Sequence, residues 1–317
     1  MATVLNVYRE HGIGGTVIVH PTWVPEQPRR TLRLTLASLV LVARLPRTTV
    51  VHVHLSERGS FIREGAILVL ASLCRRRTVA TLHGADFLTF SEAHPAVTGR
   101  VLKHAQAVLC LSEADCERVR ALVPSANVMQ IPNPVVIDDQ SPPADLTAEL
   151  VVFAGEIGFR KGADVLAEAW PEIAELRPEA TCVLVGPATG LEIAGHARLS
   201  VRAPASPPEM VQLLREARVV VLPSRAEAMP MILIEAQGAG RPFVATPVGA
   251  IPELAAHGGV LVPIDDAASL AREIVVLLER PEVARERGAR GQEYAGQTRS
   301  VGVVDGRVRA VYDGLFR

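Results

Sequence analysis

The 317 residues are enough for two domains of ordinary size, and a hydrophobic content of 49% excludes a disordered or collagen-like chain. Aromatic residues are only 4%, which argues against base-stacking nucleic-acid platforms and aromatic sugar clefts and leaves recognition to polar and charged groups. The net charge of -1 hides an asymmetry, because residues 1–135 carry a net +6 and the remainder a net -7.

In chain order, TVLNVYREHGIGG (3–15) predicts a helix ending at Gly12 or Gly14, feeding a strand at 16–20. Strands then follow at 49–54, 78–82, 107–111 and 127–131, with helices near 30–45, 60–75, 93–105 and 113–122. Five strands and four helices predict one open, doubly wound parallel sheet. Arg29, Arg30, Arg33, Arg44, Arg47, Arg63 and Arg75, Arg76 and Arg77 lie through these helical stretches. They form either a face for an anionic membrane surface or phosphates, or an ordinary solvated surface.

The Pro- and Asp-rich stretch around 131–150 has no helical period and marks a linker, 136–149. Beyond it, strands are predicted at 150–155, 181–186, 199–202, 217–224, 242–246 and 258–262, with helices at 163–176, 207–217 and 229–239 and two or three more within 266–315. The chain therefore reads as α/β, with two Rossmann-like doubly wound parallel-sheet domains, 1–135 and 150–317, facing each other across a cleft. Ligands of such sheets sit at the carboxyl ends of the strands. Cys74, Cys110, Cys116 and Cys182 form no CxxC pair and read as reduced thiols of a cytoplasmic protein. The apolar stretches 34–45 and 66–74 are too short to span a bilayer, and no signal peptide is expected.

The richest segment is PSRAEAMPMILIEAQGAGRPFVAT, 223–246. It places Glu227 in the loop after a buried strand, Met229 and Pro230 at a helix start, Glu235 on the helix and Gly240 at its end. Taken singly, Glu227 reads as a helix-capping charge and Glu235 as a surface residue. Together they suit an extended ligand with hydroxyls at both ends and a diphosphate at the helix N-terminus, as in a nucleotide sugar. A second segment, VVFAGEIGFRKGADVLAEAW (151–170), ends a strand at Gly155 and opens a helix at Lys161 and Gly162, where a mobile cation meets backbone free to approach phosphate.

The first segment resembles the E-x7-E motif of the retaining glycosyltransferases of family 4, which have the GT-B fold, through Pro223, Ser224, Glu227, Pro230, Glu235, Ala236, Gly240 and Pro242. The resemblance implies that Glu235 holds the nucleotide ribose, with Gly155, Met229 and Pro230 also at the donor, and that Glu227 lies by the transferred sugar. It implies that Lys161 meets the leaving diphosphate, with Glu156 standing where the family has an arginine and Arg160 substituting for it. His83 in TLHGADF resembles the family histidine that reaches the donor sugar, though as a generic residue it reads as a strand-end histidine making one backbone bond. VLCLSE (108–113), IPNPV (131–135) and TPVGAIPEL (246–254) resemble further family segments. No metal or other cofactor is implied, and the alternating His52 and His54 read as structural for want of a third ligand.

The opening strand and Gly-Gly loop of such a fold are expected to be missing, since Gly14 and Gly15 precede a predicted strand instead of following one. The implied activity is transfer of a sugar from a nucleotide sugar to a hydroxyl of a glycan, lipid-linked or small-molecule acceptor, at the inner membrane face or free in the cytoplasm, with no nucleic-acid partner. A binding-only remnant of the fold, taking a nucleotide sugar or a protein partner, and a nucleotide-sugar epimerase are the alternatives.

Overall fold

The computed structural model describes residues 2–317 apart from 24–26, 47, 57–58, 85–86 and 194. Arg47 of the basic set and two residues of TLHGADF thus lie outside the described residues. The chain divides into two compact units, Met1–Pro134 with Val301–Arg317, and Val135–Ser300.

The first unit opens with α1 (Ala2–His11) and α2 (Pro28–Arg44). Four parallel strands follow in sequence order, β1 (Val50–Leu55), β2 (Arg77–Leu82), β3 (Ala107–Cys110) and β4 (Val128–Gln130). Between them run α3 (Gly59–Leu73), α4 (Phe87–Ala93), α5 (Pro95–Leu102) and α6 (Glu113–Leu122). Ser112 caps α6 by accepting from the Asp115 amide at 3.2 Å. The helix predicted at 93–105 is the shorter α5, and α4 before it was not expected; the two stay separate because Pro95 has no N–H to continue α4 and instead begins α5.

The strand expected at 16–20 does not form. Its residues 16–19 are all β-branched, but neither face is buried, Ile18 being 86% exposed, and among the described residues no neighbouring strand pairs with it. A β-branched run becomes a strand only where a partner and a core exist.

The second unit contains β5 (Leu150–Ala154), α7 (Ala163–Leu176), β6 (Thr181–Val185), β7 (Leu199–Arg202), α8 (Pro207–Glu216) and β8 (Val219–Leu222). Then come α9 (Met231–Gly238), β9 (Phe243–Ala245), α10 (Ile251–Ala255), β10 (Gly259–Leu261), α11 (Ala267–Glu279) and α12 (Pro281–Arg299). Strands β5 and β8 are fully buried, so their continuous apolar runs are those of central parallel strands. The sheet order is β10-β9-β8-β5-β6-β7. The chain works outward from β5 to β7, returns to the other side of β5 with β8, and works outward again. That reversal makes a topological switch between β5 and β8, where the crossovers diverge and leave a crevice at the carboxyl ends.

Two boundaries differ from expectation. The last helix, α13 (Val301–Gly314), belongs to the first unit rather than to a domain running from 150 to 317. Its Asp305 accepts from the Gly14 amide at 2.7 Å and its Tyr312 hydroxyl lies 2.7 Å from His52 Nδ1. Gly14 is obligatory there, since its φ of +82° is left-handed and a Cβ would come within 2.4 Å of the Tyr312 ring. The stretch 136–149 is packed as part of the second unit: Asp138 is held by Arg215 at 2.7 Å, and the buried Arg241 guanidinium donates to Ser141 Oγ at 2.6 Å and to the Pro142 carbonyl.

Candidate active site in the second unit

The loops after β5 and β8 flank the switch, and they carry most of the residues singled out from sequence. Gly155 follows β5, and Arg160 and Lys161 lie in a single 3-10 turn, Phe159–Lys161. That turn ends at Gly162, whose φ of +72° reverses the chain before α7 begins. Lys161 therefore precedes the helix instead of opening it. The cause is close packing between the two loops, because a Cβ on Gly162 would sit 2.0 Å from the Pro223 carbonyl oxygen.

On the other side of the crevice, Glu227 is buried, 8% exposed. Its Oε1 accepts from Ser224 Oγ at 2.9 Å and pairs with the Lys161 ammonium. Among the described residues Oε2 accepts nothing. Ser224 is itself fixed, its carbonyl accepting from the Thr246 hydroxyl. Arg225 ties three segments together: it donates to the Phe159 carbonyl, forks onto Asp164 at 2.9 and 2.8 Å, and pairs with Asp265 at 2.6 Å. From sequence, Ser224 is a motif match and Thr246 opens a matching segment, neither with a role assigned, and Arg225 is not singled out at all.

Met229 and Pro230 are buried in the same loop, and Pro230 is the N-cap of α9 instead of a first-turn residue. The helix starts at Met231, two residues later than expected, because 227–230 is held by the neighbouring loop: the Ala250 amide donates to the Ala228 carbonyl at 2.8 Å. Gly249, φ +56°, permits this, since a Cβ there would meet the Glu227 carbonyl oxygen at 2.1 Å. Of the first-turn N–H groups of α9, that of Leu233 donates to the Pro230 carbonyl at 3.2 Å, and those of Met231 and Ile232 precede any intrahelical acceptor. Glu235 stands one turn further along, half-buried, and its carboxylate makes no hydrogen bond or ion pair among the described residues. Burial pushes its pKa up to about 7. A carboxylate raised this way by desolvation, with its acceptors unused, is stabilised by a ligand that donates hydroxyl hydrogens.

Glu156 and Arg160 pair with each other at 2.9 Å, and Glu156 also accepts from Thr189 Oγ1 at 2.9 Å. The Arg160 hydrogen bond holds the Glu156 carboxyl below its usual pKa.

His83 lies in the first unit at the end of β2. It does not simply make a strand-end backbone bond: its Nε2 is 2.7 Å from His54 Nδ1, the two rings stacked. His54 stacks in turn on His52, whose nitrogens engage Tyr312 and Thr81, and Tyr8 packs edge-on against both rings. The third histidine near His52 and His54 is thus supplied by the β1–β2 pairing, yet both His52 nitrogens are taken by hydroxyls. Among the described residues no group of three or more His, Cys, Asp or Glu is arranged to hold a metal ion.

Burial lowers the pKa of His52 and His83 well below 6.5 and that of His54 to about 4. These rings are neutral in the folded protein and take up protons on unfolding, so the stability they supply is complete above about pH 6.5 and falls as pH drops toward 4. Each titrating histidine contributes a slope of up to about 1.4 kcal/mol per pH unit. Urea midpoints measured from pH 7.5 to 5 are expected to fall steeply in the native protein and less steeply, by about one proton, in His54→Asn.

Each unit is similar to a known family model. Residues 148–280 match the model described as "Glycosyl transferases group 1", and residues 6–134 match the "Glycosyl transferase 4-like domain". A D-inositol 3-phosphate glycosyltransferase of Segniliparus rotundus is 33% identical over 176 residues, covering 51% of this chain and 39% of the relative. One from Jonesia denitrificans is 30% identical over 230 residues, covering 65% of this chain and 54% of the relative. The chain thus spans between two fifths and just over half the length of these relatives. Among solved structures, Anabaena HepE in complex with UDP-glucose superposes with a TM-score of 0.73 at 19% identity, covering 98% of this chain and 88% of that one. Sucrose-phosphate synthase from Thermosynechococcus elongatus gives 0.73 at 20% identity, covering 93% and 80%.

Proposed function

We propose that this chain, whose two units are glycosyltransferase domains in the GT-B fold, is a retaining glycosyltransferase that binds a nucleotide-diphosphate sugar in the second unit and transfers the sugar to an acceptor hydroxyl. The observation that carries the reading is the Lys161–Glu227 pair at the β5/β8 switch, with Glu235 unpartnered one turn into α9. Glu235 takes the ribose hydroxyls. The diphosphate lies against Gly155, the first-turn amides of α9 beside Met229 and Pro230, and Lys161. Glu227, with Oε1 committed to Lys161 and Ser224, offers Oε2 to a hydroxyl of the transferred sugar. As the glycosidic bond breaks, negative charge grows on the diphosphate, and Lys161 and the α9 N-terminus stabilise it where it develops. The acceptor hydroxyl attacks on the face the diphosphate leaves, which retains the configuration, and its proton passes to the departing diphosphate oxygen. No metal or other cofactor is required by this scheme.

UDP-, GDP- and ADP-sugars tested by thermal unfolding provide the first check, since a donor at 100 times its Kd adds about 2.7 kcal/mol to stability. Acceptor-dependent release of nucleotide, with the product's anomeric configuration read by NMR, then establishes transfer. Binding without release identifies a binding module, and isomerisation of the donor alone identifies an epimerase.

The acceptor side has a specific pointer in α2. It carries Arg29, Arg30, Arg33 and Arg44 and no acidic residue, and it exposes Leu32, Leu36 and Val40, one i,i+4 row. This is the pattern of a helix lying in the plane of an anionic membrane, which suits a lipid-linked acceptor. No described helix is long and apolar enough to cross a membrane. The protein is expected to sediment with vesicles containing phosphatidylglycerol and not with pure phosphatidylcholine, and Leu36→Glu together with Arg33→Glu should abolish the difference. Equal binding to both vesicle types, or to neither, contradicts it.

A further inference from the structure

The loops at the switch point have an unexpected charge balance for a site that receives a diphosphate. Three cations, Arg160, Lys161 and Arg225, are each already paired with carboxylates: Arg160 with Glu156, Lys161 with Glu227, and Arg225 with Asp164 and Asp265. Four carboxylates against three cations leave these loops without net positive charge before Glu235 is considered. An incoming diphosphate would meet no unpaired cation among them.

The pairs are not equivalent. Arg225 is forked onto Asp164 and bound to the Phe159 carbonyl, so it is committed to holding the loops. Lys161 and Glu227 are both largely buried, with side chains 14% and 7% exposed. Arg160 and Glu156 are looser, with side chains 45% and 34% exposed. Exposed pairs of that kind contribute about 0–1 kcal/mol and exchange partners readily. Arg160 also reaches across to the Ala226 carbonyl at 3.3 Å, in the loop that carries Glu227. Glu156 is held on its other side by Thr189 at 2.9 Å, whereas the second contact of Arg160 is the longer 3.3 Å one, so the arginine is the more readily displaced partner.

We infer that Glu156 is an internal competitor for the anionic part of the ligand: it holds Arg160 in the empty site, and the diphosphate takes Arg160 from it on binding. Glu156 thereby sets donor affinity, by occupying the cation and by repelling the ligand's charge. A weakened hold also favours release of the nucleoside diphosphate after transfer. This inference rests on the donor site proposed above.

The experiment is titration calorimetry of UDP, GDP and ADP, and of the corresponding free nucleosides, against the native protein, Glu156→Gln and Arg160→Gln, at low and high salt. Glu156→Gln is expected to bind the preferred nucleoside diphosphate about tenfold tighter, with a steeper loss of affinity as salt rises, and to bind the nucleoside unchanged. Arg160→Gln should bind the diphosphate more weakly than native protein, and the double variant should lose the gain made by Glu156→Gln. Glu156 is half-exposed at a loop, so the melting temperature of Glu156→Gln should stay close to native. If native protein binds a nucleoside diphosphate and Glu156→Gln binds it no better, the competitor role is wrong while the donor site stands. Should native protein bind none of the three, the donor site itself fails and this inference with it.

Discussion

Replacing Glu227 with alanine is expected to reduce sugar transfer by about a thousandfold while changing donor affinity by less than about tenfold. The split follows from what the carboxylate touches. Its Oε1 fixes Lys161 and Ser224, and its Oε2 faces no protein donor among the described residues. Loss of one such group costs about 10²–10³ in rate where it aims a charge at the transition state, and misplacing Lys161 adds to that. Binding depends chiefly on groups elsewhere on the donor. Because Glu227 is buried, the alanine variant also leaves the Lys161 ammonium without its counter-charge, and an uncompensated buried charge can destabilise by about 3–5 kcal/mol. Glu227→Gln keeps the shape and an oxygen acceptor for Ser224 and Lys161, so its loss reports the missing negative charge, the uncompensated Lys161 ammonium included, and the further loss in alanine reports shape and hydrogen bonding. Steady-state rates with donor affinity measured independently, alongside melting temperatures, check the prediction; parallel losses of binding and rate would place Glu227 on the ground-state donor instead.

Glu235 is expected to give the second large effect, in two separable forms. Its native pKa of about 7, against 4.5 for the ordinary carboxyl, means the folded protein retains a proton that the unfolded chain has lost between those values. Stability contributed by the neutral acid is therefore present at low pH and is lost as pH rises from about 4.5 to 7, amounting to about 3 kcal/mol at pH 8. Glu235→Gln should recover most of that in the empty protein at pH 8 and none of it at pH 4.5, as read from denaturant midpoints. For the ligand the sign is opposite. The ionised carboxylate is the stronger acceptor, so donor affinity should rise with pH through 7, and Glu235→Ala should weaken nucleotide binding by about 30-fold, the value of a charged hydrogen bond or two. A residue that destabilises the empty site yet strengthens the occupied one is hard to account for as a surface glutamate.

The sequence made the second unit more legible than the first, for reasons that lie in particular residues. The runs that became β5 and β8 are short, apolar and uninterrupted, which is what burial on both faces requires, and the 163–176 helix is bounded by Gly162 at one end and by the non-helical Arg177 at the other. The run at 16–20 is also β-branched but among the described residues pairs with no strand, and pattern alone does not report partners. The return of α13 to the first unit depends on Gly14, Asp305, Tyr312 and His52, residues some 260 to 290 positions apart that no local period connects. In the site, Glu227, Glu235 and Lys161 were singled out because the segments around them resemble a family motif with set spacing. Their environment was not: that Lys161 pairs with Glu227, that Arg225 clasps three segments, and that Glu156 holds Arg160 are consequences of two loops meeting at a topological switch.

The claim that the second unit is a nucleotide-sugar site with Glu235 on the ribose is tested most directly by a double-mutant cycle between protein and ligand. Affinities of native protein and Glu235→Ala are measured for the preferred nucleoside diphosphate and for its 2′,3′-dideoxy form. The account predicts that removing the ribose hydroxyls weakens binding to native protein by about the same factor as Glu235→Ala does, and that the variant binds the two ligands equally. Equal binding of both ligands by the native protein, or an undiminished preference for the hydroxyls in Glu235→Ala, would contradict it.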